Sequence, residues 1–406
     1  MSIDTTRALR AWMDTHRVEM VDFLHRIVDM DTATENRDGV EALAQLMAQT
    51  MNGIGFAVER REGVAPAEEW LGEAFLGDAA ARGIAPSVLC RLGSGGGRGR
   101  LLMTAHLDTA FVPGAPAKNP FRVSNERAYG PAVADMKGGV VGVLFACRAL
   151  IETGVSRPAD IVIVFDTDEQ GGTLWSRPLI EAEARDADWA LVTEPGRVNG
   201  EVVGQRAGLA IGEVIVDGVE AHLGTGFKDG RSAIEALCRK VIALHRLHEP
   251  DSGVLLNVGT FHGGTRRNLY AGRAVARMDV RVRDRATWER VQRDIEEIAR
   301  ADDVPGTTTT LRLWQHRPPM PWTRDTDRLA TLVSDAAEAM GTRILTIPTM
   351  GGSDANLIAN QGTPVLCGLG PVGGAIMTDH EYIELPTLTE RATLVAALAH
   401  ELSTQS

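Results

Sequence analysis

The sequence predicts an α/β fold, a mostly parallel central sheet with helices on both faces, carrying an inserted α+β domain. Three features predict it. From Leu101 to Val192 short apolar runs alternate with helical ones, and strands that short and apolar belong to a parallel sheet buried on both faces. The middle third changes to a β-α-β-β-α-β order, the pattern of a ferredoxin-like unit. The length, 406 residues, exceeds what one compact core usually supports.

Taken in order, Thr5 to Val28 places Leu9, Trp12, Met13, Met20, Phe23, Leu24 and Ile27 at helical spacing. A second helix is expected over Val40–Met51, stopped by Gly53 and Gly55. The Gly-rich Ser94–Gly99 lies between the runs Val88–Leu92 and Leu101–Thr104. No Gly-Lys-Ser/Thr follows it, so it reads as a turn between strands rather than a phosphate loop. Leu101–Thr104, Ile161–Phe165 and Trp189–Val192 read as strands, and Met136–Glu152 as a helix. The inserted unit then runs strand Ala207–Asp217, helix Gly230–Leu247, strands Gly253–His262 and Gly272–Asp284, helix Arg285–Arg300 and strand Thr307–Trp314. Pro318, Pro319 and Pro321 mark the return to the first domain. Helices are expected over Asp325–Met340, from Gly351 to Ala359, and over Leu388–Ser403. The expected domains are therefore 1–205, 206–316 (inserted) and 317–406.

Asp and Glu total 54 against 42 Lys and Arg, a formal net charge of −12. That balance repels phosphate backbones and argues against nucleic acid as a partner. Met1 to Glu19 holds no apolar core of signal-peptide length, and no uncharged run elsewhere is long enough to span a bilayer. The four cysteines, Cys90, Cys147, Cys238 and Cys367, are far apart and form no Cys-x-x-Cys pair. They read as buried apolar residues of a reducing compartment, so the expected location is cytoplasmic, with no membrane partner.

In sheets of this kind chemistry gathers at the carboxyl ends of the strands. Three polar clusters fall there: His106-Leu107-Asp108, Asp166-Thr167-Asp168-Glu169-Gln170 and Thr193-Glu194-Pro195. His106 and Asp108, two apart, point the same way in an extended segment. Asp108 is thus placed to fix the imidazole or the local network. Asp135 opens a Gly-rich helix start, Ala134-Asp135-Met136-Lys137-Gly138-Gly139. One His and several carboxylates at one sheet edge form a plausible Zn²⁺, Mn²⁺ or Co²⁺ site. Each element alone is weak, since a His-x-Asp is more often structural and Asp135 could be only a helix cap. Their joint order is what carries the signal.

The segments Thr104–Thr109 and Ala128–Gly139 resemble the signature of the co-catalytic metallopeptidases. That family includes aminoacylases, glutamate carboxypeptidases, acetylornithine deacetylases and succinyl-diaminopimelate desuccinylases. Resemblance continues through Thr167-Asp168-Glu169, Thr193-Glu194-Pro195, Gly218–Gly224 and Gly351–Ala355; the stretch from Gly63 to Ser87 resembles it least and looks like an insertion near the substrate side. The resemblance implies a zinc-exopeptidase-like catalytic domain and a lid and dimerisation role for the insert. It implies metal ligands His106, Asp135 and Glu194, general base Glu169, and an oxyanion-stabilising His222 that acts across a homodimer or higher homo-oligomer. Arg281 and Asn268 resemble lid residues that hold substrate groups.

Two positions depart from the family pattern. Gln170 stands where a second Glu is usual, and Met377 stands where a late His is usual, four residues before Glu381. A neutral amide and a thioether are poor ligands for a hard or borderline cation, so one divalent metal (Mn, Zn or Co) per subunit is expected. His380, three residues on from Met377, is a candidate pocket residue or a surface one. The function expected is hydrolysis of a C–N bond in a small carboxylate-bearing substrate, an N-acyl amino acid or a dipeptide-like amide. The alternatives are a single-metal aminohydrolase acting on an activated arylamine such as a nitroanthranilate, and an inactive binding or scaffold homologue.

Overall fold

The computed structural model of the protein describes residues 3–404. The chain divides into two compact units. The first comprises the chain up to Gly204 with Trp322–Pro348 and the part from Ser353 onward; the second comprises Gln205–Pro321 with Thr349–Gly352.

The first unit is built on a six-stranded sheet in the order Ala57–Arg61, Ser87–Leu92, Asp160–Asp166, Arg100–His106, Trp189–Val192, Val365–Leu366. The last four strands are mutually parallel, and the first two join antiparallel at one edge. Alternation within the strands divides their side chains between two layers. Leu101, Met103 and Ala105 face a core shared with the helices Ile3–Thr15, Arg17–Val28, Arg37–Gly53, Gly138–Glu152, Arg324–Ala339 and Leu385–Thr404. Leu102, Thr104 and His106 point to the opposite face, where the helices Arg177–Arg185 and Asp354–Asn360 lie.

The second unit is a four-stranded antiparallel sheet in the order Val254–Gly263, Arg273–Val282, Gly208–Asp217, Thr308–Arg317. The helices Ala233–His245 and Arg285–Arg300 bury Leu237, Leu244, Val291 and Ile295 against one face of it. The edge strand Val254–Gly263 is exposed over its second half, including Phe261.

Four local expectations differ from the structure. The opening helix is two helices, parted at His16, whose φ/ψ of −98°/7° leaves the helical region. There the imidazole Nδ1 bonds the Trp12 carbonyl at 2.8 Å and the ring stacks on the Trp12 indole. The Gly-rich segment after Leu92 is no hairpin turn, because the strand Asp160–Asp166 lies between the two strands it connects. Asp135 does not open a helix: its φ/ψ of −113°/89° is extended, the Asp135–Met136 peptide is cis, and the regular helix begins at Gly138. The late helix begins at Asp354 rather than Gly351, with Ser353 as its cap.

Candidate functional site

Three chain segments converge at the carboxyl end of the parallel strands. His106 is the last residue of its strand, Glu194 lies two beyond Val192, and Asp135 lies in the turn before the Gly138 helix. One ligand atom from each of His106, Asp135 and Glu194 lies within 4.8 Å of the others. His106 Nε2 stands 3.2 Å from Asp135 Oδ1 and 4.0 Å from Glu194 Oε1. Two ligand atoms bound at about 2.1 Å in tetrahedral array are roughly 3.4 Å apart, so the spacing and the one-imidazole, two-carboxylate donor set fit a divalent cation.

The ring is held from behind by main chain. His106 Nδ1 is 2.9 Å from the Asp108 carbonyl oxygen, whereas the Asp108 carboxylate is 3.6 Å away. That carboxylate instead accepts from the Glu169 N–H (3.0 Å), the Gln170 N–H (3.1 Å) and the Thr34 hydroxyl (2.7 Å). Asp108 therefore serves two segments at once, its carbonyl orienting the imidazole and its carboxylate fixing the loop that follows Asp166.

Glu169 and Gln170 sit three and four residues beyond their strand, in that loop. Asp168 closes the loop by accepting from the Trp175 N–H at 2.8 Å and from the Ser176 hydroxyl. The Gln170 amide Nε2 donates to Asp135 Oδ2 over 3.4 Å. Asp135 thus has one oxygen toward His106 and the other toward a neutral amide donor.

Glu381, used in the sequence only as a counting landmark, is a central support. Its buried carboxylate accepts from the backbone N–H groups of Ala134 (2.9 Å), Asp135 (3.0 Å) and Met377 (2.9 Å). It thereby fixes the non-helical turn that presents Asp135. Asp168 and Lys137 were likewise not singled out; Lys137 Nζ, fully buried, donates to the Met30 carbonyl at 2.8 Å and ties the same turn to the second helix. No local signal in the sequence separates Glu381 and Lys137 from ordinary surface charges, because their partners lie far away in the chain; Asp168 stood in a strand-end cluster, but nothing there marked it as the residue that closes the loop.

The electrostatics follow from burial. Burial alone would push the His106 imidazole down, but the hydrogen-bonded Asp135 carboxylate, with Glu194 and Glu169 nearby, holds it well above its ordinary value. A cation in the same carboxylate cage competes with that proton. Burial pushes the Glu381 carboxyl up to about 7, aided by the Asp135 charge and opposed by its backbone donors. Burial likewise takes Asp168 up to about 7 and Lys137 down to about 7.

The other expected site residues each have their own surroundings. His222, Asn268 and Arg281 belong to the second unit. There His222 is exposed, with Nδ1 accepting from the Gly224 N–H at 3.2 Å, and the Asn268 carbonyl accepts from the Leu223 N–H at 3.0 Å. Arg281 Nε donates to Asp279 at 2.9 Å. His380 is exposed, as is the Met377 side chain (53 %).

Residues 102–401 match the profile of peptidase family M20/M25/M40. Carboxypeptidase G2 of Pseudomonas sp. (strain RS-16) is 28% identical over 382 residues, covering 93% of this chain and 88% of that protein. Acetylornithine deacetylase of Myxococcus xanthus is 28% identical over 422 residues, covering 98% of each. Among solved structures, a tripeptidase from Staphylococcus aureus superposes with a TM-score of 0.76 at 20% identity, covering 96% of this chain and 99% of that one. With the profile spanning most of its length, the chain belongs to the M20/M25/M40 peptidase family and is a metal-dependent hydrolase acting on carbon–nitrogen bonds of peptide or acyl-amino-acid type.

Proposed function

We propose that this enzyme hydrolyses the amide bond of a small carboxylate-bearing N-acyl amino acid or dipeptide, using one divalent cation per subunit held by His106, Asp135 and Glu194. The observation that carries the reading is the convergence of those three ligand atoms within 4.8 Å, beside a Gln170 amide on the outer oxygen of Asp135. When bound, the cation supplies Lewis acidity toward a carbonyl oxygen and makes water a better nucleophile near neutral pH.

The chain's own residues do the rest. Glu169, its backbone N–H fixed by Asp108, takes the proton of the attacking water and delivers it to the leaving nitrogen, a general acid–base role. Asp108 and Glu381 are positioning residues, the first for His106 and the Glu169 loop, the second for Asp135. Arg281 and Asn268 receive the substrate carboxylate, for which the guanidinium offers a two-pronged donor set. His222 stabilises the developing oxyanion from the neighbouring subunit of a homodimer. The half-exposed edge strand Val254–Gly263 supports that assembly, since an unpaired edge is a ready pairing surface.

The Gln170 amide and the exposed Met377 leave a second cation only a share of Asp135. One tightly held Mn²⁺, Zn²⁺ or Co²⁺ per chain is therefore expected after loading and desalting. Two retained metals would overturn the single-metal site. A panel of N-acyl amino acids and dipeptides, assayed with each metal, tests the reaction. Glu169→Gln, with metal content unchanged, should lower kcat by about 10²–10⁴, and an unchanged kcat would remove Glu169 from the mechanism. Mixing inactive His222→Ala and Glu169→Gln subunits should restore activity, and heterodimers that form but stay inactive would exclude action in trans.

A further inference from the structure

The strands Ala57–Arg61 and Ser87–Leu92 are direct antiparallel neighbours, with Arg61 paired to Ser87. A turn of two residues is enough to join such a pair. The chain instead spends residues 62–86 on the connection, folding them into the helix Glu69–Leu76 and the 3₁₀ turn Gly77–Arg82. That is far more chain than joining the two strands needs.

This segment lies on the loop that carries Glu169. A methyl group at Gly172 would stand 2.5 Å from Phe75 Cε1, and one at Gly171 would stand 3.1 Å from Leu76 Cδ2. The Phe75 ring therefore rests directly on the Gly172 backbone, which also has a φ of +86° that favours glycine. Trp175, at the far end of the loop, packs against Gly63 and Gly72. Its carbonyl accepts from the Val64 N–H at 2.9 Å. At the near end the Thr167 hydroxyl donates to the Ala85 carbonyl at 2.5 Å. The loop is thus gripped at both ends and in the middle by the same connection. On its other side it hangs from Asp108, and the Gly172 N–H bonds the Glu169 carbonyl at 2.9 Å.

We infer that residues 62–86 form a clamp, with Phe75 as its principal tooth, that sets the position of Glu169 for proton transfer. The inference rests on the reading of Glu169 as the general base. Phe75 is a positioning residue: the glycines beneath it bring its ring onto the backbone, and removing the ring lets the Gly171–Thr173 turn relax away from Asp135. Misplacing a reacting group by about 1 Å costs on the order of 10² in rate, so Phe75→Ala should lower kcat by that factor while KM and metal content hold.

The test is a double-mutant cycle on the full chain with the metal bound. Phe75→Ala is made in the wild-type and in the Glu169→Gln background, together with the rescue variant Phe75→Leu. Clamping predicts that Phe75→Ala adds little once Glu169 is gone, and that Leu restores most of kcat. Fully additive losses would overturn the clamp while leaving Glu169 as base. Wild-type kcat in Glu169→Gln would overturn the base reading first, a distinct outcome. Hydrogen exchange of the Gly172 and Thr173 amides, which needs no substrate, gives an independent arm. Faster exchange confined to 169–176 in Phe75→Ala supports the clamp, and protection unchanged there refutes it even if the variant is inactive.

Discussion

Asp108→Asn separates two ways in which one residue can support a site. Its buried carboxylate takes three hydrogen bonds, from the Glu169 N–H, the Gln170 N–H and the Thr34 hydroxyl. An amide of the same shape keeps one acceptor and turns the other into a donor. With its oxygen beside Gln170 and Thr34, the NH₂ faces the Glu169 N–H. Turned over, it faces the Gln170 N–H, while the Thr34 hydroxyl rotates to accept. One buried backbone N–H is left without an acceptor in either case, at about 1–3 kcal/mol. Burial also holds the Asp108 carboxyl above its ordinary range, so a neutral amide recovers part of that desolvation. We expect a net loss of about 1–2 kcal/mol in urea unfolding. The displaced loop should lower kcat by about 10², with metal content intact because the carbonyl that holds His106 is retained. Denaturation, elemental analysis and kcat on the best substrate of the amide panel measure all three. Lost metal with kcat per bound metal unchanged would show that the carboxylate acts through the imidazole, and the network drawn here would be wrong.

Other perturbations have equally definite outcomes. A methyl at Gly139 would sit 2.1 Å from the Thr193 carbonyl, so Gly139→Ala should push back the segment carrying Glu194, weaken metal binding by titration and cost about 1–3 kcal/mol; unaltered affinity would refute that coupling. Of the four cysteines only Cys238 is exposed, and burial pushes the Cys90 thiol up to about 12; one thiol per chain should alkylate in the native state at pH 8 and four in urea. Asp166 is fully buried, neither carboxylate oxygen has a hydrogen-bond partner among the described residues, and burial with the nearby Asp354 charge raises its pKa well above its ordinary value. The folded chain therefore keeps a proton that the unfolded chain has lost, and stability present below pH ~4 declines by about 1.4 kcal/mol per unit as pH climbs toward the folded value. Asp166→Asn should match wild type in urea at pH 4 and exceed it at pH 8; an equal loss at both would refute this.

Much of the fold was legible because burial on both faces leaves runs such as Ile161–Phe165 almost purely apolar, and period decides between strand and helix. The ligand cluster was legible because strand ends bring sequence-distant polar residues to one edge. The supports were not. Glu381 reaches Asp135 from the far end of the chain, and Asp168 closes a loop through Trp175 and Ser176; each would look the same in sequence as a solvated carboxylate. The break at His16 was hidden because the apolar spacing continues across it, although the backbone does not. The connection between Arg61 and Ser87 was noticed as unusual, yet only the packing of Phe75 on Gly172 gives it an address.

The helix Leu385–Thr404 packs against Ile3–Thr15, Gly138–Glu152 and Arg324–Ala339, which has a consequence for biosynthesis. All three candidate ligands are made before Gly204, but the helix that covers the core beneath them, and Glu381 that holds Asp135, are made only after the whole second unit. At about 5–20 residues per second the ribosome takes roughly 10–35 s between Gly204 and Leu385. Throughout that interval the early strands and helices exist with their shared apolar face uncovered, a state that invites chaperone binding. A cation met in that interval would find His106, Asp135 and Glu194 already made, but Asp135 not yet held by Glu381.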